Sequence, residues 1–359
     1  MALITFDKRS VILTAVALIF MVIYFSFLDL EGILAELAKI SLWIILAIIV
    51  VQLTGYLLDS LAWKLLLQTT DIKPPIKDLY GVYLASFGYG LLVPSMSTVE
   101  TALRVDLGKR IFEKNNPREN PVDSSAILSS IVLHKMVGGL VNVPVNLIIA
   151  YSLVVYFDLP TIWGVAFMMI TTILLGLFLF IVIAISLSPG KTNRIVKGLV
   201  EGLARLLPPV AKRKGGWEDK IEKFVFDYHR NFKFLMQHWK QAISSGCLIL
   251  LATLVSWITL YLLIIGLSAD VEFMAMIAVN FMGATLNALP LAIPGMEGIK
   301  EIVVSEALQQ FLSTHKRGAV ALLFSFAKFY VPVTAAILVG FFLGVEKPSF
   351  RKPDDEEDR

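Results

Sequence analysis

Apolar residues in this chain come in runs too long for the core of a water-soluble domain. Six stretches, Ser10–Leu28, Ile40–Lys64, Ala126–Phe157, Ile162–Leu187, Ala242–Leu267 and Ala319–Val345, are predominantly apolar. Each reaches the roughly 18 residues at which a helix can cross the hydrocarbon of a bilayer, so each predicts a spanning helix. Two further apolar stretches are interrupted. Residues 79–103 contain Gly88, Gly90 and Pro94, and residues 273–312 contain Gly283, Pro290, Pro294, Gly295 and Gly298. Irregular backbone at membrane depth is tolerated only where protein or a watery cavity satisfies its polar groups, so these stretches predict two re-entrant hairpins. The first apolar run follows Lys8 and Arg9 like a signal peptide, but Tyr24-Phe25-Ser26-Phe27-Leu28 offers no small-residue cleavage site, and a retained anchor is expected.

Composition supports the same picture. Hydrophobic residues make up 57% of 359 and charged ones 17%, against roughly 25% charged in a soluble domain. Mean hydropathy is +0.74. With the N-terminus inside, 26 of the 32 Lys and Arg residues fall in segments 1–10, 64–80, 104–120, 189–240 and 345–359, which places those segments and both termini on the cytoplasmic side of the cell membrane. The bookkeeping closes only if 79–103 dips in from the cytoplasm and 273–312 from outside. The predicted fold is therefore all-α and polytopic, with six spanning helices plus two re-entrant hairpins in a single domain, 1–345, followed by a tail, 346–359. Residues 10–157 and 162–345 form two halves of opposite orientation. Val93-Pro94-Ser95-Met96 matches Ile293-Pro294-Gly295-Met296, with Val99 opposite Ile299. Inverted repeats with broken helices are a recurrent architecture of alternating-access transporters.

The largest predicted loop, 189–240, holds twelve basic and five acidic residues. Ile195, Leu199, Leu203 and Leu206 recur at helical spacing, as do Ile221, Phe224, Val225 and Tyr228, giving amphipathic helices suited to an anionic inner leaflet. An ordinary positive-inside loop is the alternative. No nucleic-acid module accompanies the charge, so no nucleic-acid partner is expected. The single cysteine, Cys247, excludes an intrachain disulfide.

Ionisable residues inside a membrane are costly, and those retained there point to function. The candidates are Asp59, Glu100, Arg104, His134, Lys135, Glu297, Lys300, Glu301 and Lys328. Asp59 and Lys64 lie near a helix end, where charges can snorkel to the interface. The run Pro294-Gly295-Met296-Glu297-Gly298-Ile299-Lys300-Glu301 is the sharpest local signal. Its glycines permit close backbone approach ahead of a helix whose unpaired N–H groups suit a phosphate head group, and a side chain at Gly298 is expected to block that approach while sparing the helix. Glu297 and Glu301 can equally complement the helix dipole. Lys135 or Lys328 can pair with Glu301 in a structural salt bridge or contact a head group. His229, His238 and His315 lack metal-ligand spacing, and no metal site is predicted.

The Pro-Gly-x-x-Gly-hydrophobic-x-Glu run at Pro294–Glu301, preceded by Asn287-Ala288-Leu289-Pro290, resembles the signature of the lysylphosphatidylglycerol synthase transmembrane region family, and Pro94…Arg104 with the basic segment after it resembles that family's first motif. The similarity covers most of 10–345. It implies movement of an anionic or modified lipid across the bilayer, with Pro94, Glu100, Arg104, His134, Lys135, Pro294, Gly295, Gly298, Glu301 and Lys328 as substrate-binding candidates. The chain departs from the family pattern in spacing Glu100 and Arg104 four residues apart, in placing His134-Lys135 where a Glu-Arg pair is usual, and in having Lys328 in place of a last-span Arg. No soluble aminoacyl-transferase domain lies within the 359 residues, so lysyl transfer is not expected of this chain.

The expected activity is that of a lipid translocase (flippase) working by alternating access on an anionic phospholipid or a polyprenyl-phosphate-linked lipid. An intramembrane enzyme acting on a lipid-linked substrate and a non-transporting scaffold are the alternatives. The sequence has no Gly-x-x-x-x-Gly-Lys-Ser/Thr run for ATP, no Gly-x-Ser-x-Gly elbow, no His-Glu-x-x-His helix and no Asp-x-Asp pair, so neither enzymatic chemistry nor a cofactor is predicted.

Overall fold

The computed structural model describes residues 19, 22–70, 72–93, 96–115, 122, 124–156, 190, 194, 198, 226, 230, 233–234, 237–268, 271, 273, 276–277, 298–309 and 311–343. The expected span 162–187, most of 10–28, the hairpin tips at Pro94 and at 283–297, most of loop 189–240 and the tail 346–359 lie outside these residues. All regular structure among the described residues is helical. Four helices there are long and apolar enough to cross a membrane: Leu42–Thr70, Ser124–Asn142, Trp239–Gly266 and Thr314–Phe342. They coincide with four of the six expected spans. The chain divides into two compact units, Met1–Ile131 with Cys247–Arg359, and Val132–Gly246, and the division falls inside two long helices.

In the first unit, helical residues 22–27 lead into α1 (Leu30–Ala38), capped by Asp29, whose carboxylate accepts from the Gly32 N–H at 3.2 Å. Helix α2 (Leu42–Leu67) starts at Ser41, whose hydroxyl accepts from the Trp43 N–H at 3.3 Å. Its buried positions Ile48, Gln52, Tyr56, Ser60, Trp63 and Leu67 recur every three or four residues and form one stripe. Leu42, Trp43 and Val50 stay exposed, as expected of a surface that meets acyl chains.

Helices α3 (Ile76–Leu91) and α4 (Met96–Asn115) pack side by side as a hairpin. At 1.5 Å per residue α3 is about 24 Å long, short of a roughly 30 Å hydrocarbon layer. Gly88 and Gly90, expected as breakers at the hairpin tip, lie within α3 and are buried, and the helix closes at Leu92. Gly88 is a packing residue. A Cβ built there would stand 2.4 Å from the Ala336 Cβ and 2.5 Å from the Pro332 carbonyl oxygen, so the two backbones meet with no room for a side chain. Arg104, counted in the cytoplasmic segment 104–120 and also among the intramembrane candidates, lies mid-helix in α4 and is buried.

Helix α5 (Ser124–Tyr156) begins in this unit and α6 (Trp239–Gly266) ends in it. Along α6, Leu250, Leu254, Ile258, Tyr261 and Ile265 form an exposed apolar stripe, while Ile249, Thr259, Leu260, Leu263 and Ile264 turn inward. The last span joins α8 (Thr314–Ser325), a π-helical turn at Phe326–Tyr330 and α9 (Val331–Phe342) without interruption, preceded by the short α7 (Ile299–Ala307). Gly318 of α8 rests against Ile33 of α1, where a Cβ would come within 2.6 Å of the Ile33 Cδ1.

In the second unit α5 runs on from Val132, and α6 begins at Trp239. Gly246 lets them approach, a Cβ there standing 3.3 Å from the Val141 side chain. Pro144 sits inside α5, where it deprives the Leu140 carbonyl of its helical N–H.

Candidate functional site

Three polar clusters lie in the first unit. The first is built around Arg104, which is 1% exposed. Its spacing of four residues from Glu100 puts both on one face of α4, and they form an ion pair. The guanidinium Nε donates to the Ser86 hydroxyl at 3.3 Å, and the plane is flanked by Trp63, 5.1 Å from the ring centroid, and Tyr83, at 4.4 Å. The ring groups are themselves anchored, Trp63 Nε1 donating to Ser130 Oγ at 3.0 Å and the Tyr83 hydroxyl to Asp59. Arg104 thus ties α2, α3, α4 and the start of α5 through one cation whose charge is matched by Glu100. Removing one member would strand its partner in a buried site.

The second cluster is at Gly298. This residue has φ 92°, a left-handed conformation that favours glycine, and its N–H donates to Glu301 Oε2 at 2.6 Å. The other carboxylate oxygen of Glu301 accepts from the Ser325 hydroxyl. Glu301 is 1% exposed, so it closes the N-terminus of α7 and pins it to the last span. The negative charge that this helix end attracts is supplied from its own first turn. Lys300, also 1% exposed, lies over the ring of Phe329, 5.7 Å from its centroid. Among the described residues Glu301 and Lys328 form no ion pair, and Lys328 has other partners.

Lys328 forms the third cluster, at the centre of the π-helical turn in the last span. The turn is marked by the Val331 N–H reaching back five residues to the Phe326 carbonyl, and such turns recur at functional sites. The half-buried ammonium donates to the Ser256 hydroxyl of α6 and, at 3.4 Å, to Gln52 Oε1 of α2. The same Gln52 oxygen accepts from the Thr259 hydroxyl at 3.3 Å. Among the described residues the hydrogen-bond partners of Lys328 are all neutral. Lys300 adds a second positive charge close enough to repel it.

Of the remaining expected residues, His134 is buried and Lys135 half-buried, both in the second unit on α5. Pro94, Pro294 and Gly295 fall outside the described residues. No group of three or more metal-ligating side chains occurs among the described residues. The expected set left out Gln52, Ser256, Thr259 and Ser325. Gln52 carried a signal, since it is the helix's lone amide and follows ten uninterrupted apolar residues. The serines and threonine carried none, because hydroxyls in membrane helices routinely bond to the carbonyl one turn back.

No curated protein matches the chain. The family described as lysylphosphatidylglycerol synthase TM region matches it over residues 10–336, spanning all three clusters and both sequence motifs. The chain is a multi-pass membrane protein that belongs to the lysylphosphatidylglycerol synthase transmembrane-region family.

Proposed function

We propose that the protein is a lipid translocase which binds the phosphate head group of an anionic phospholipid or polyprenyl-phosphate-linked lipid at Lys328 and carries it across the cell membrane by alternating access. The observation that carries this reading is the lysine ammonium inside a membrane-spanning helix, held by a hydroxyl and an amide oxygen. A cation at that depth is costly without a counter-charge, and an anionic head group provides one during transport. Membership of the family supports a lipid as the ligand. Arg104 is matched by Glu100, and the helix end at Gly298 by Glu301, so Lys328 is the group best suited to take the head group. In the same reading six spans and two re-entrant hairpins form an inverted repeat with both termini cytoplasmic, the 189–240 loop rests on the anionic inner leaflet, and no covalent chemistry takes place.

The test is reconstitution of the full chain in phosphatidylcholine vesicles carrying fluorescent phosphatidylglycerol, with bleaching of the outer leaflet to follow lipid exchange. The wild type is expected to exchange the probe, and Lys328→Met to slow it by roughly tenfold or more without a fall in melting temperature, since the variant removes an incompletely compensated charge. Equal rates in protein-free and protein-containing vesicles, or in wild type and Lys328→Met, would defeat the proposal. Conversion of the probe to a new covalent product would point to an enzyme.

A further inference from the structure

The Lys328 cluster resolves into a charge and a cradle, and the cradle is made by two helices far apart in sequence from the lysine. Gln52 is central to it. The residue is 5% exposed on the inner stripe of α2 and accepts from both Lys328 and Thr259 through one oxygen. Lysine offers only donors, so the amide must turn its oxygen toward it. Thr259, wholly buried, holds that oxygen from a second side. Gln52 is therefore held by burial and by Thr259, whereas Lys328 hangs on a flexible four-carbon stem.

The chemical type of Gln52 matters as much as its place. A carboxylate there would accept the same hydrogen bonds and would hold the ammonium more tightly, because it adds a full opposite charge to a bond that the ammonium already makes charge-assisted. It would also cancel the charge. Among the described residues the hydrogen-bond partners of Lys328, Ser256 and Gln52, are both neutral, and the oxygens of Glu301 are taken by the Gly298 N–H and the Ser325 hydroxyl. We infer that Gln52 is a specificity-determining positioning residue, which aims the Lys328 ammonium through its amide oxygen while leaving the positive charge available to an anionic head group. This inference rests on the proposed role of Lys328. It adds that preference for anionic over zwitterionic lipid resides in the neutrality of the cradle.

The experiment compares exchange of fluorescent phosphatidylglycerol with that of fluorescent phosphatidylcholine in phosphatidylcholine vesicles, for the full-length wild type, Gln52→Glu and Ser256→Asp. Both substitutions place a carboxylate beside the same ammonium from different helices, so either can serve if the other fails to fold. The wild type is expected to favour phosphatidylglycerol. In each variant the ratio of the two rates should fall by roughly tenfold toward unity, the effect of a new close ion pair. A substitution that only loosened the packing would slow both lipids alike and leave the ratio unchanged. A folded Gln52→Glu or Ser256→Asp that retains the wild-type preference overturns the inference and leaves the translocase reading standing. A wild type that exchanges neither lipid overturns the translocase reading itself.

Discussion

Glu301 shows how a single side chain can use up a site that its neighbours offer. With Gly298 at φ 92° and its N–H bonded to the Glu301 carboxylate, a substitution at Gly298 cannot be neutral for the fold. Any residue with a Cβ must hold a left-handed conformation there, at a cost of about 1–2 kcal/mol. Gly298→Leu is therefore expected to lower the melting temperature of the detergent-solubilised protein as well as its transport rate. Glu301→Ala, which leaves the cap and the Ser325 hydroxyl without an acceptor, should cost about 1–2 kcal/mol, and Glu301→Gln less, because the amide keeps one oxygen. A melting temperature unchanged by Glu301→Ala would show that the carboxylate has no structural role. The helix entry at Gly298 was legible in the sequence, but which group caps it was not. Two readings of Glu301, ligand contact and self-capping, use the same residues at the same spacing, and only the position of Ser325 separates them. Arg104 poses the converse case. Its charge placed it in a cytoplasmic segment and also among the intramembrane candidates, and Trp63 and Tyr83, 41 and 21 positions earlier in the chain, supply the cover that lets it lie buried in a helix.

At the scale of elements, α3 and α9 meet where each has dispensed with bulk. Gly88 faces Ala336 and the Pro332 carbonyl, and Gly340 faces the Tyr89 ring, its virtual Cβ 2.7 Å from the hydroxyl oxygen. Lipid tails are as apolar as leucine, so two membrane helices gain little from hiding oil and depend on close contact. Gly88→Leu should force them apart, at about 1–3 kcal/mol or more, and a thermal shift assay should report it as a clear loss of stability. Gly81→Ala, with 3.4 Å to the nearest Val339 and Leu343 atoms, is the control and should be tolerated. A stable Gly88→Leu protein would mean that the crossing is looser than described. The sequence made the hydrophobic lengths of these elements readable, since length and composition alone decide whether a segment can span. It did not reveal that Gly88 sits inside a helix, because a glycine that breaks a helix and one that admits a neighbour leave the same mark.

For the whole molecule, the prediction that matters is sidedness. Single cysteines at Ser95 and Gly295 in a Cys247→Ser background are expected to be reached by aqueous thiol reagents from opposite faces of the membrane, as an inverted pair of re-entrant hairpins requires. Cys247 is exposed on α6 and must be removed first. Labelling of both positions from one side would exclude the inverted arrangement. The π-helical turn in the last span bears on how such a molecule could move. A turn closed over five residues instead of four stores one surplus residue between two helical stretches that are each locked, α8 against α1 through Gly318 and Ile33, and α9 against α3 through Ala336 and Gly88. That surplus is slack in an otherwise taut rod. Lys328 sits in that slack, between the two anchored ends and in neither of the locked stretches.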